Sequence, residues 1–173
     1  MEELDRKSIS EMTSADKHPI IIILDEVRSM QNVGAIFRTA DAFAIEAIYL
    51  CGYTPTPPHR DIHKTALGAT ETVHWQHFPD TLAAIQQAQA AGYAVYGVEQ
   101  THNSTSLETI NWPSDKGIAL VFGNEVNGVS DAALAQCKSS IEIPQWGSKH
   151  SLNISVSVGV VAWELVRNRH KNA

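Results

Sequence analysis

A chain of 173 residues, 43% hydrophobic and 18% charged, is long enough to bury one full core and short enough for a single domain. Its formal net charge of -6 excludes a protein that coats nucleic acid through bulk electrostatics, so any nucleic-acid contact must be local. No apolar stretch reaches the roughly 20 residues of a membrane span, the polar start MEELDRKSISEMTSADK has no signal-peptide core, and Cys51 and Cys137 read as separate reduced thiols; the expectation is a cytoplasmic protein with no membrane association.

In chain order, the first sixteen residues set Glu2, Glu3, Asp5, Glu11 and Asp16 against Arg6 and Lys7, which predicts a flexible polar arm over 1–17 and a folded domain over 18–173. The run IIIIL (20–24) predicts a strand. NVGAIFRTADAFA (32–44) then places Val33, Ile36, Phe37, Ala40, Phe43 and Ala44 at helical spacing, with Asn32 available as cap. AIYLC (47–51) is a second strand, and TPTPPHR (54–60) a stiff loop, because proline fixes the backbone and removes donors. DTLAAIQQAQAAG (80–92) is the clearest helix, with Asp80 to cap it and Gly92 to take the left-handed position after it.

Further strands are expected at AVYGV (94–98), IALVF (118–122) and SIEI (140–143). The last segment is ambiguous: LNISVSVGVV alternates like a strand, whereas AWELVRNR ends like a helix with cations in its last turn. Strands alternating with helices, and strands with almost no polar alternation, predict an α/β domain with a mostly parallel sheet flanked by helices.

Two loops share one construction. FGNEVNGVS follows a strand, sets Gly123 and Gly128 around Asn124 and Glu125, and leads into a helix that Ser130 can cap. IPQWGSKHSLN likewise follows a strand with Pro144, Gly147 and a polar cluster. Glycine allows a close approach to a ligand, and loops after parallel strands are where open α/β sheets bind ligands. Each loop taken alone is equally a plain turn, with Trp146 as a surface anchor and Ser151 as a helix cap. A third element is Asn32 with Arg38 on the first helix: the guanidinium suits a phosphate, or pairs with Asp41 on a solvated face. His59 and His63, and His74 and His77, have helical spacing, but Pro57 and Pro58 argue against a helix at the first pair and no cysteine or acid completes a metal set, so no metal is expected. A Ser151/His150 hydrolase is disfavoured because the two are adjacent and no GxSxG elbow exists.

Together NVGAIFRTAD (32–41), LVFGNEVNGVS (120–130) and IEIPQWGSKHSLNISVSVGVVAWEL (141–165) resemble the three ordered motifs of the TrmH, or SpoU, branch of the SPOUT RNA methyltransferases, and DIHKTALGA (61–69) resembles a segment between that family's early strands. The resemblance spans roughly residues 20 to 168. It implies a parallel sheet with a C-terminal trefoil knot, a rare topology, a homodimer, and a helix rather than a strand over 152–168.

It also implies S-adenosylmethionine as methyl donor and methylation of a ribose 2′-hydroxyl in RNA. The implied catalytic residues are Asn32, Arg38, Glu125, Ser151 and Asn153; the implied donor-site residues are Val98, Glu99, Gly123, Asn124, Ile143 and Leu152. The family casts Arg38 as a base. A neutral arginine near pH 7 costs about 7 kcal/mol, so Arg38 is better suited to hold an RNA phosphate and stabilise charge developing on the 2′-oxygen. His59, Arg60, His63 and Lys64 form the most basic local segment and are the expected RNA rim, with Arg167, Arg169 and Lys171 a second basic spot. The small layout favours tRNA over rRNA; the alternative is an RNA-binding protein that keeps the fold without catalysis.

Overall fold

The computed structural model describes residues 11–12, 15–148 and 151–171, so most of the expected arm over 1–17 lies outside the described residues. Seven strands form one sheet: β1 His18–Asp25, β2 Ile45–Cys51, β3 His74–Phe78, β4 Ala94–Val98, β5 Thr105–Ser106, β6 Ile118–Gly123 and β7 Ser139–Glu142. Their order is β3-β2-β1-β6-β4-β7-β5, and every pairing is parallel. The helices are α1 Met30–Ala42, α2 Arg60–Ala66, α3 Thr81–Ala90, α4 Asp131–Leu134 and α5 Ile154–Lys171, with a 3₁₀ turn at Ala69–Glu71.

The unbroken run of isoleucine in β1 is explained by burial on both faces. Ile20, Ile22 and Leu24 pack with α1 and α5 residues such as Phe37, Val158 and Leu165, while Ile21 and Ile23 pack with Ala84 and Ile85 of α3 on the other side. The final segment is a helix, α5, as the resemblance implied. The helix expected at 80–92 forms as α3, with the Asp80 carboxylate accepting the Ala83 N–H at 2.8 Å and Gly92 at φ 87° after its end.

Three local expectations are corrected. The cap of α1 is Ser29, whose hydroxyl oxygen accepts the Asn32 N–H at 3.2 Å; Asn32 lies in the first turn of the helix and its side chain is left for other work. A helix does follow Pro57 and Pro58, because it begins just beyond them: the His59 ring Nδ1 accepts the Asp61 N–H at 3.2 Å and acts as the cap of α2. Ser130 precedes α4, but its side chain makes no capping hydrogen bond; its N–H is used elsewhere.

Gly34 brings α2 against α1. A Cβ at that position would lie 2.0 Å from Thr65 Oγ1 and 2.4 Å from the Ile62 carbonyl oxygen, so only glycine permits the approach. Thr65 then donates to the Gln31 carbonyl at 3.1 Å, which ties the basic helix beside the helix that carries Asn32 and Arg38.

Candidate active site

The C-terminal ends of β4, β6 and β7 and the loops that follow them enclose a cavity of about 550 Å³, within the range of small-molecule sites. Its floor is apolar, with Val98, Phe122, Ile141, Ile143 and Ile154; its rim is polar, with Glu99, Asn124, Glu125, Gln145 and Ser151 among others. Gly123, Leu152 and Asn153 line it too, so all six expected donor-site residues and three of the five expected catalytic ones border one space.

Loop 124–130 is a tight, self-bonded unit. Asn124 Oδ1 accepts the N–H groups of Val126 and Asn127 at 2.9 and 2.8 Å, and the Gly128 N–H returns to the Asn124 carbonyl at 3.0 Å. The two glycines are what allow the loop to fold back. A Cβ on Gly123 would lie 1.8 Å from the Gly128 carbonyl carbon, and Gly128 has φ 67° with the Glu99 carboxylate where a Cβ would go.

A hydrogen-bonded chain joins the three sequence segments. Asn32 Nδ2 donates to Glu125 Oε1 at 2.9 Å, and Asn153 Nδ2 donates to Asn32 Oδ1 at 3.2 Å. Asn153 also caps α5, since its Oδ1 accepts the Ser155 N–H at 2.9 Å, a task that the plain-turn alternative for this loop gave to Ser151. Partial burial pushes the Glu125 carboxyl up, but hydrogen bonds from Asn32 and from the backbone of Glu125, Arg28 and Ser29 outweigh it and hold the group below its usual range. Glu125 is therefore an ionised acceptor at neutral pH.

Arg38 is not part of this chain of contacts. It is exposed, does not line the cavity, and sits six residues beyond Asn32, about 9 Å along the helix axis. Among the described residues it makes no ion pair, and the alternative pairing with Asp41 is not formed; Asp41 Oδ1 accepts the Thr72 hydroxyl at 2.5 Å.

On α2, Arg60, His63 and Lys64 are exposed, while the His59 ring is occupied as the cap. Asp61, which the sequence-based charge reading left out, takes an ion pair from Lys64 at 2.9 Å and a longer one from Arg60 at 3.9 Å, so the helix is less positive than its cations alone suggest. The second basic spot is largely engaged within the fold: Arg167 pairs with Glu164 at 2.7 Å, and Arg169 donates to the Lys116 carbonyl at 2.7 Å.

Other chemistries find little support among the described residues. No cluster of three or more His, Cys, Asp or Glu could hold a metal, and no helix is long and apolar enough to cross a membrane. The two cysteines are free, and burial pushes each thiol up to about 12, which suits packing rather than nucleophilic attack. The sequence did not single out Asp25, a buried carboxylate that closes β1 and receives hydrogen bonds from the Thr81 hydroxyl and, at 2.8 Å, from the Ser130 N–H. An acid ending an otherwise apolar strand was the available signal.

Residues 19–163 match the SpoU rRNA Methylase family. The chain is 30% identical over 172 residues to the tRNA (guanosine(18)-2′-O)-methyltransferase of Thermus thermophilus, covering 98% of this chain and 85% of that protein. It is 29% identical over 172 residues to the 23S rRNA (guanosine-2′-O-)-methyltransferase RlmB of Vibrio cholerae, covering 98% and 68%. An AdoMet-bound rRNA methyltransferase from Sinorhizobium meliloti superposes with a TM-score of 0.80 at 29% identity, covering 87% of this chain and 58% of that one. The A. aeolicus TrmH/SpoU tRNA modifying enzyme shares the fold, with a TM-score of 0.83 at 23% identity over 95% and 82%. This chain thus spans about three-fifths of some relatives and most of others. With its parallel sheet, its cavity at the strand ends and its three motifs drawn together, the chain belongs to the SpoU family of RNA methyltransferases.

Proposed function

We propose that this chain transfers a methyl group from S-adenosylmethionine to a ribose 2′-hydroxyl of RNA. The observation that carries this is the Asn153–Asn32–Glu125 chain on the rim of a cavity of about 550 Å³, which couples a donor-sized space to the start of α1. The residues present fit the donor: apolar walls for the adenine, backbone groups at the ends of β4, β6 and β7, and carboxylates at Glu99 and Glu125 for a cationic molecule. Val98, Glu99, Gly123, Asn124, Ile143 and Leu152 would hold it. When bound, it supplies an electrophilic methyl group on a sulfonium and leaves as a neutral thioether.

The protein's part is alignment and charge. Glu125 fixes Asn32, and Asn32 fixes Asn153 at the head of α5, so the side of the site that meets RNA and the side that meets the donor are held in one geometry. Ser151 lines the same space and offers a hydroxyl to the incoming ribose. Arg38 holds an RNA phosphate and stabilises negative charge on the 2′-oxygen as its proton passes to water or to a phosphate oxygen.

RNA meets the protein along α1 and α2, with His59, Arg60, His63 and Lys64 as the rim. The greater coverage of the tRNA enzyme than of the rRNA enzyme, 85% against 68%, favours tRNA. The molecule works as a homodimer in the cytoplasm: Val156, Val160 and Trp163 form an exposed apolar stripe on α5, with Trp163 against Phe43 beside α1, of the kind a second copy covers. The domain runs from 18 to 173, and its C-terminal part carries the trefoil knot. Calorimetric titration with S-adenosylhomocysteine tests the donor half: saturable binding at one site per chain is expected, and no measurable affinity favours an RNA-binding protein without catalysis.

A further inference from the structure

The loop that forms one wall of the cavity is held to the sheet by two carboxylates from opposite sides. In the sheet order, β6 lies between β1 and β4. Asp25, paired in register with Gly123 at the end of β1, accepts the Ser130 N–H through Oδ2 at 2.8 Å. Glu99, which follows Val98 at the end of β4, accepts the Val129 N–H through Oε2 at 2.9 Å. Two consecutive amides at the exit of loop 124–130 are thus taken by acids on the two strands that flank β6.

We propose that Asp25 is a positioning residue for the methyl-donor site, acting through Ser130, with Glu99 as its counterpart across the sheet. The proposal rests on the donor-site reading above. Because loop 124–128 is bonded to itself, it moves as a unit, and apart from the Glu125 contacts with Asn32 and the backbone of Arg28 and Ser29 its orientation is fixed at its ends. Its entrance is constrained by the close crossing at Gly123, its exit by the two carboxylates. The loop carries Glu125 to Asn32, so a loosened exit withdraws one wall of the cavity and the acceptor at its tip together. Asp25 is 5% exposed and does not line the cavity, so it touches neither donor nor RNA. Its other oxygen is occupied by the Thr81 hydroxyl at the start of α3, which locks the carboxylate plane.

Substitution at Asp25 separates this role from general support. In Asp25→Asn the amide oxygen still accepts the Ser130 N–H, and the amide nitrogen donates to Thr81 once that hydroxyl rotates, so the geometry survives without the charge. Asp25→Ala leaves the Ser130 amide and the Thr81 hydroxyl without their acceptor. Titration with S-adenosylhomocysteine is expected to show Asp25→Ala weaker than the unsubstituted protein by about tenfold or more, as loss of a charged acceptor implies, and Asp25→Asn within about threefold of it. RNA binding in the absence of donor is expected to be unchanged in both. Amide hydrogen exchange in the unsubstituted protein provides a second measurement that needs no variant: Ser130 should exchange slowly although it is exposed, as should the buried Val129 before it. A folded Asp25→Ala with unchanged affinity, an Asp25→Asn as impaired as Asp25→Ala, or free-peptide exchange rates at Val129 and Ser130 overturns the proposal. Failure of the unsubstituted protein to bind S-adenosylhomocysteine instead sinks the donor-site reading, while the exchange rates still decide whether the clamp exists.

Discussion

Asn32 and Glu125, 93 residues apart, meet at 2.9 Å with the amide of one donating to the carboxylate of the other. Asn32 is free to do so because Ser29 caps α1, and Glu125 is presented by a loop that two glycines fold back on itself. Asn32→Ala removes a donor from a charged acceptor and disconnects Asn153 as well. Methyl transfer is expected to fall by about a hundredfold or more, in line with loss of a positioning contact, and Asn32→Asp to fall further because it faces Glu125 with a second carboxylate. Single-turnover rates for the two variants check this, and a rate for Asn32→Asp equal to that of the unsubstituted protein contradicts it.

The hydrogen bonds to Glu125 also have a pH signature. Its folded-state pKa is depressed despite the opposing effect of burial, so it contributes stability that is fully present above its unfolded value of about 4.3 and is lost as pH falls through the folded value. No contribution from this group should change above about pH 6. Thermal melts in acid are expected to fall less steeply for Glu125→Gln than for the unsubstituted protein, and parallel curves would mean that the network is not a stabilising one.

Arg38 stands outside the cavity and is exposed, which separates its effects from those of the donor site. Arg38→Ala should lower transfer by about a hundredfold or more, the scale of removing one group that stabilises transition-state charge, while S-adenosylhomocysteine binds as before. Arg38→Lys keeps the charge but not the bidentate fork, and should recover only part of the rate. Normal turnover in Arg38→Ala removes Arg38 from the mechanism.

The α2 rim makes a graded prediction. With Asp61 already drawing on Lys64 and Arg60, the helix supplies few free cations. Exchanging Arg60 and Lys64 together for glutamate should weaken RNA binding and reduce the slope of log affinity against log salt by about 1.5, the value for two phosphate contacts. An unchanged slope places the RNA elsewhere.

The parts of the fold that could be read from sequence are those where one local rule suffices. Strands β1, β4 and β6 are buried on both faces and therefore appear as unbroken apolar runs. Strand β3, HWQHF, is at the sheet edge with only Phe78 buried, and β5 is two residues long, so neither leaves a periodic trace. Helix α2 was hidden by the prolines before it and by a histidine in the capping position. Within the site, the resemblance named Asn32, Glu125 and Asn153, which do meet, and Arg38, which does not join them. What no local pattern could convey is the pairing of Asp25 with Ser130, 105 residues apart, because it exists only once β6 is laid between β1 and β4.

The central claim is tested most directly by incubating the full chain with S-adenosylmethionine carrying a deuterated methyl group and unmodified total tRNA or rRNA, then analysing the nucleosides by mass spectrometry. Labelled 2′-O-methylribonucleoside, formed about a hundredfold or more slowly with Asn32→Ala, is the predicted result. Label on a base, or no label in either RNA from a chain that binds the donor, would contradict it.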